Sequence, residues 1–215
     1  MRSQQVSVPA GGSALSGDLA LPDPDRPVVL FAHGSGSSRY SPRNRAVAAA
    51  LREAGLGTLL LDLLTEQEER VDALTGEHRF DIDLLTSRLV AAVDWLTDRP
   101  GTAGLPIGLF GASTGAAAAL RAAADRPDPV LAVVSRGGRP DLAGAADLGA
   151  VRAPVLLLVG SRDRDVLKLN LAAAALLTVP HRVQVVPGAT HLFEEPGALE
   201  VVAGAARAWF LDPPS

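Results

Sequence analysis

The sequence predicts an α/β protein, a mostly parallel, doubly wound sheet of about eight strands with helices on both faces. Three observations carry this. Continuously apolar runs such as Val28–Ala32, Thr58–Leu61 and Pro154–Val159 recur along the chain, as strands buried on both faces require. Helical patterns of about ten residues or more separate them, which makes the sheet largely parallel. Between the apolar run Pro106–Phe110 and the alanine-rich helical run Ala116–Asp125 stands Gly111-Ala112-Ser113-Thr114-Gly115, a Gly-x-Ser-x-Gly pattern at a strand–helix junction.

The elements follow in order. Val6–Val8 and Ala14–Leu21, joined by Gly11-Gly12-Ser13, read as an antiparallel hairpin. Pro22–Pro27 is a loop with three prolines, and Val28–Ala32 is a buried strand running into His33-Gly34-Ser35-Gly36-Ser37-Ser38. Ser41-Pro42 is an N-cap followed by proline at the first helical position, and that helix stops at Gly55. Thr58–Leu61 is a strand ending at Asp62. Thr65–Phe80 is polar and poorly periodic, so it reads as a long loop with room for one helical turn. Leu85, Leu89, Ala92, Val93 and Leu96 share one face of a helix over Asp81–Asp98. After the central junction, Val130–Ser135 is a strand and Arg136–Leu148 a loop. Pro154–Val159 is a strand, Val166–Val179 a helix, Arg182–Val186 a strand, Pro187–His191 a turn and Pro196–Leu211 a closing helix. These elements use nearly all of the 215 residues, so one domain without a cap is expected.

Composition narrows the function. A net charge of −4 and a pI near 5.5 give no nucleic-acid surface. The absence of cysteine excludes a thiolate nucleophile and disulfides. No apolar run approaches the roughly 20 residues of a membrane span, and Met1–Gly12 has no apolar signal core. Cytoplasmic residence, with no membrane or nucleic-acid partner, is the expectation; oligomeric state stays open. No histidine–carboxylate cluster has metal-ligand spacing, so neither metal nor organic cofactor is expected.

In open sheets of this kind, sites form beyond the carboxyl ends of the strands. His33, Asp62, Ser113, Arg136, Asp163 and His191 each fall just after a predicted strand. Ser113 sits where a sharp turn would expose its hydroxyl as a nucleophile. A serine hydroxyl needs a base to take its proton and a carboxylate to orient that base. Of four histidines, His33 lies in a glycine-rich loop it suits structurally, His78 in the polar segment, and His181 before a strand rather than after one. His191 is the best-placed base. Asp163 is the preferred acid, Asp165 being the expected cap of the following helix and Asp62 a runner-up by position. Ser113, Asp163, His191 is the chain order of this triad on a doubly wound sheet. Arg136 and Arg139, in Ser135-Arg136-Gly137-Gly138-Arg139-Pro140, are candidates for reading substrate charge. A phosphate cradle at His33–Ser38 is disfavoured, because that loop lacks the Gly-Lys-Ser/Thr of a P-loop.

These motifs give the chain a resemblance. His33-Gly34-Ser35-Gly36, the Gly111–Gly115 elbow, Gly160-Ser161-Arg162-Asp163 and Gly188-Ala189-Thr190-His191 resemble the α/β-hydrolase superfamily and, within it, its small, lidless dienelactone-hydrolase-like branch. The resemblance covers essentially the whole chain. It implies Ser113 as nucleophile, Asp163 as acid, His191 as base, and an oxyanion hole from the amides of Ser35 and Thr114. True dienelactone hydrolases carry cysteine at the elbow, so serine here favours a generic ester, with a small-molecule carboxylic ester as the partner. Acyl transfer and ligand binding without turnover are the alternative activities on this scaffold.

Overall fold

The computed structural model describes residues 3–214. The strands are β1 (Gln4–Ala10), β2 (Ser13–Ala20), β3 (Val28–Ala32), β4 (Gly57–Leu61), β5 (Ile107–Ala112), β6 (Val130–Arg136), β7 (Val155–Gly160) and β8 (His181–Val186). The helices are α1 (Pro42–Glu53), α2 (Glu66–Thr75), α3 (Ile82–Asp98), α4 (Thr114–Asp125), α5 (Ala145–Ala150), α6 (Arg164–Ala174) and α7 (Ala198–Leu211), with a 3₁₀ turn at Pro140–Ala143.

All eight strands join one sheet in the order β1-β2-β4-β3-β5-β6-β7-β8. β1 and β2 form the expected hairpin, with Gly11 and Gly12 both at positive φ in its two-residue turn. β2 is antiparallel to β4, and β3 through β8 are mutually parallel. Strand order reverses between β3 and β5. The loops after those two strands therefore open a crevice at the carboxyl edge, where ligands bind in such sheets.

Alternation along each strand fills two cores. Leu30, Leu109, Val133 and Leu157 face α3, α4 and α6. Phe31, Phe110, Val134 and Leu158 face α1 and α7, with the Phe31 and Phe110 rings 4.9 Å apart. Both faces are covered, which is why β3, β4, β5 and β7 are buried at every position.

Three expectations require correction. The segment expected as a loop over Thr65–Phe80 contains helix α2, set by local chemistry rather than an apolar stripe. Thr65 Oγ1 accepts from the Glu68 amide while the Glu68 carboxylate accepts from the Thr65 amide, a reciprocal capping box. Gly76 closes α2 in the left-handed conformation. The Arg136–Leu148 loop holds the 3₁₀ turn and the start of α5, so seven α-helices are present among the described residues, α2 and α5 beyond the five named from the sequence. Helix α6 starts at Arg164, not Val166, and ends at Ala174; Asp163, not Asp165, is its N-cap residue.

The glycines of the elbow are sterically compelled. A Cβ at Gly115 would lie 2.4 Å from the carbonyl oxygens of both Ala32 and His33, and one at Gly111 would lie 2.4 Å from the Ala116 Cα. These neighbours are backbone and cannot swing aside. Gly115→Ala is therefore expected to destabilise the fold by about 1–3 kcal/mol. Gly204, inside α7 with open space around it, is the contrasting case. There the alanine substitution is expected to stabilise by about 0.5–1 kcal/mol. Denaturant midpoints of the two variants check both signs.

Candidate active site

Ser113 joins the end of β5 to the first turn of α4 with φ 50° and ψ −120°. A non-glycine residue in such a conformation costs about 1–3 kcal/mol and persists where its surroundings over-determine it. Here the Ser113 amide donates to the Arg136 carbonyl at 3.3 Å. The Ser113 carbonyl accepts from the amides of Arg139 at 3.0 Å and Ala116 at 3.1 Å. Gly34 lets the loop after β3 press against the turn, since a Cβ there would sit 2.9 Å from the Ser113 Cβ. Ser35 and Thr114 are thereby brought together, their hydroxyls 3.2 Å apart. Among the described residues, neither the Ser35 nor the Thr114 amide donates to a backbone carbonyl. Both are free to meet an oxyanion, one of them at the N-terminus of α4.

His191 and Asp163 meet across the ends of β7 and β8. Gly160 permits the crossing, because a Cβ there would lie 2.3 Å from the Ala189 carbonyl oxygen. The Arg162 amide donates to Ala189 O at 2.9 Å, and the Gly188 amide donates to Ser161 Oγ at 2.8 Å. His191 Nδ1 then lies 2.6 Å from Asp163 Oδ2. With Nδ1–H donating to the carboxylate, Nε2 is left as the basic nitrogen. Asp163 makes no side-chain cap bond to its helix, so its carboxylate serves His191. Asp165 is 93% exposed at the side chain and pairs only with Lys168.

The remaining candidates have other partners. His33 is buried; its Nε2 accepts from the Leu63 amide at 3.0 Å and its Nδ1 donates to Gly34 O at 3.0 Å. Burial pushes its pKa down, keeping it neutral and structural. Asp62 accepts from the Arg39 amide at 2.6 Å and from its guanidinium, which anchors the loop after β3. His181 is exposed at the start of β8, and His78 sits beside Glu77. Glu195 accepts from the Thr190 amide at 3.1 Å, bracing the His191 turn.

Ser113 and His191 line one cavity of about 190 Å³, together with Ser35, Arg43, Asn44 and Arg136. It shares Gly34, Ser35 and Ser37 with a second cavity of about 470 Å³ that reaches Leu64, Glu69 and Leu85. The two candidate arginines part company here. Arg139 points its fork at Asp141, with Nε at 2.8 Å and Nη2 at 2.7 Å, and lines neither cavity. Its neighbour two residues on satisfies it. Arg136 faces the cavity. Asn44, Arg43 and Phe193 escaped the sequence reading. Asn44 and Arg43 belong to the first turn of α1, and Phe193 takes a positive φ of 56° that no motif announces.

Comparison with known proteins agrees with this architecture. A family model described as the dienelactone hydrolase family matches residues 16–211. Over 212 residues the chain is 57% identical to a protein of two Mycobacterium tuberculosis strains provisionally named a phosphoribosyl transferase. That match covers 99% of this chain and 47% of the relative, so the chain spans about half the length of the curated relatives it matches. A crystal structure described as dienelactone hydrolase from Anabaena variabilis is 56% identical, covers 98% of both chains and superposes with a TM-score of 0.95. An α/β serine hydrolase without lid from Xanthomonas campestris shares 21% identity, covering 100% of this chain and 97% of its own, with a TM-score of 0.73; it shows the fold alone.

Proposed function

Because the chain belongs to the dienelactone hydrolase family, we propose that it is a serine hydrolase of short carboxylic esters. Family and fold support a hydrolase. One observation carries the finer reading: the strained Ser113 turn opens into the same small cavity as His191, whose Nδ1 is held by Asp163.

In this reading His191 Nε2 takes the Ser113 proton as Oγ attacks the ester carbonyl. Asp163 stabilises the imidazolium and fixes its tautomer. The Ser35 and Thr114 amides hold the oxyanion of the tetrahedral intermediate. His191 returns the proton to the departing alcohol. Water, deprotonated by the same imidazole, then releases the acid from the acyl-Ser113. The transferase name belongs to relatives about twice as long, and the Ser113, His191 and Asp163 arrangement favours acyl chemistry for the part matched here.

Neither α2 nor the 3₁₀–α5 segment is long enough to form a separate cap over these cavities. Short acyl groups are accordingly expected to turn over fastest. A 4-nitrophenyl ester series from acetate to decanoate tests this, with kcat/KM falling beyond butyrate as the expected result. Interfacial activation on long-chain triglyceride emulsions would contradict it.

A further inference from the structure

Asn170 is a polar side chain where packing alone asks for an apolar one. It lies in α6 and is fully buried; the other buried residues of that helix, Ala173 and Ala174, belong to the apolar core. Its amide nitrogen donates to two carbonyls, 2.8 Å to Val166 one turn back and 3.0 Å to Gly138 in the loop after β6. Both hydrogens of the amide are thereby used, and two carbonyls at one end fix its orientation. Its Oδ1 points the other way and, among the described residues, has no donor. A buried acceptor without a donor is unfavourable, and an apolar side chain would avoid it. What sets asparagine apart at this position is the grip of its nitrogen on Gly138.

Gly138 belongs to the turn Gly137-Gly138-Arg139, which touches every member of the candidate triad's frame. The Arg139 amide, directly after the carbonyl that Asn170 holds, donates to the Ser113 carbonyl at 3.0 Å. Gly138 has no slack: a Cβ there would collide with Ser135 Oγ and with the Ala116 Cβ in the first turn of α4. The Gly137 amide donates to the Leu158 carbonyl at 2.7 Å, and a Cβ on Gly137 would lie 3.0 Å from the His191 carbonyl oxygen. Helix α6 itself starts from Asp163, whose carboxylate holds His191 Nδ1 at 2.6 Å. Asp163 and Asn170 stand about two turns apart on that one element. One helix therefore holds the acid–base pair at its start and the nucleophile turn at its middle.

We infer that Asn170 is a positioning residue: through Gly138 and Arg139 it fixes the Ser113 turn relative to Asp163 and His191. A displacement of about 1 Å between reacting groups can cost roughly 100-fold in rate, so such a strut acts on turnover without touching substrate. This inference rests on the serine-hydrolase reading for its effect on turnover, and on geometry alone for the tether.

Asn170→Leu keeps the branched shape and removes both donors. It is expected to lower kcat by about 10- to 100-fold with KM close to wild type, and to slow fluorophosphonate labelling of Ser113 by a similar factor. Asn170→Ser, whose hydroxyl can still bond the carbonyl one turn back but is too short to reach Gly138, is expected to show the same split and replaces the leucine variant should that fail to fold. Ala173→Gly is the control: it weakens α6 at a buried position and leaves the Asn170 bonds in place, so its kcat should stay at the wild-type value. Hydrogen exchange read by mass spectrometry reports the tether itself, and peptides covering Gly137–Arg139 should exchange faster in the Asn170 variants than in Ala173→Gly. Wild-type kcat and labelling rate in a folded Asn170 variant overturn the inference, as does an equal loss of kcat in Ala173→Gly. Failure of the serine-hydrolase reading looks different, because Ser113→Ala then keeps its turnover. In that event exchange decides: faster exchange at Gly137–Arg139 upholds the tether, and unchanged exchange refutes it.

Discussion

Replacing Ser113 by alanine is expected to remove nearly all ester turnover while leaving the fold intact. In a serine protease the equivalent loss is roughly 10⁶ in kcat, the residue of activity coming from the oxyanion hole and binding. The same scale applies here, because the proposed route passes through a bond to the Ser113 oxygen. The fold should survive, since the Ser113 side chain makes no cap bond to α4. The braces at Ser113 are backbone contacts to Arg136, Arg139 and Ala116, which alanine preserves. A folded Ser113→Ala protein with wild-type kcat/KM would remove Ser113 from the mechanism.

The second large effect is expected from the acid. Asp163→Asn should lower kcat by roughly 10⁴, the cost of losing the orienting carboxylate in a serine protease. An amide facing His191 Nδ1 can donate a hydrogen itself, which stabilises the tautomer protonated on Nε2 and blocks the base. Asp165→Asn serves as the paired control. Asp165 lies two residues on, is almost wholly exposed, and pairs at the surface with Lys168, an arrangement worth at most about 1 kcal/mol of stability. Its kinetics should stay close to wild type. Equal losses in the two variants, measured as kcat on the same ester, would contradict the assignment of Asp163.

The parts of the fold legible in the sequence were those written in hydrophobic runs and punctuation. β3, β4, β5 and β7 are buried on both faces, so their apolar runs mark them directly. Ser41-Pro42 opens α1 as its residue types dictate, the serine accepting from the Asn44 amide. Helix α2 was obscured because Asp72 is its one buried residue, and helical periodicity requires an apolar stripe. Its signal was local: a Thr65–Glu68 capping pair and a closing Gly76. In the candidate site, Ser113, Asp163 and His191 were legible as residues that follow strands in a fixed order. Their meeting depends on backbone crossings at Gly34 and Gly160 that are visible only in three dimensions. Arg136 and Arg139 were alike in sequence. What separates them is that Asp141 satisfies Arg139 two residues away, while β6 carries Arg136 into a cavity without a carboxylate.

The central claim, that Ser113 is an activated nucleophile, is tested most directly by a fluorophosphonate probe read by mass spectrometry. The account predicts one adduct per chain, located on Ser113, formed in step with loss of ester turnover and abolished by Ser113→Ala. Ester turnover that persists in fully treated protein with Ser113 unmodified, or an adduct on another residue that accompanies the loss, would contradict it.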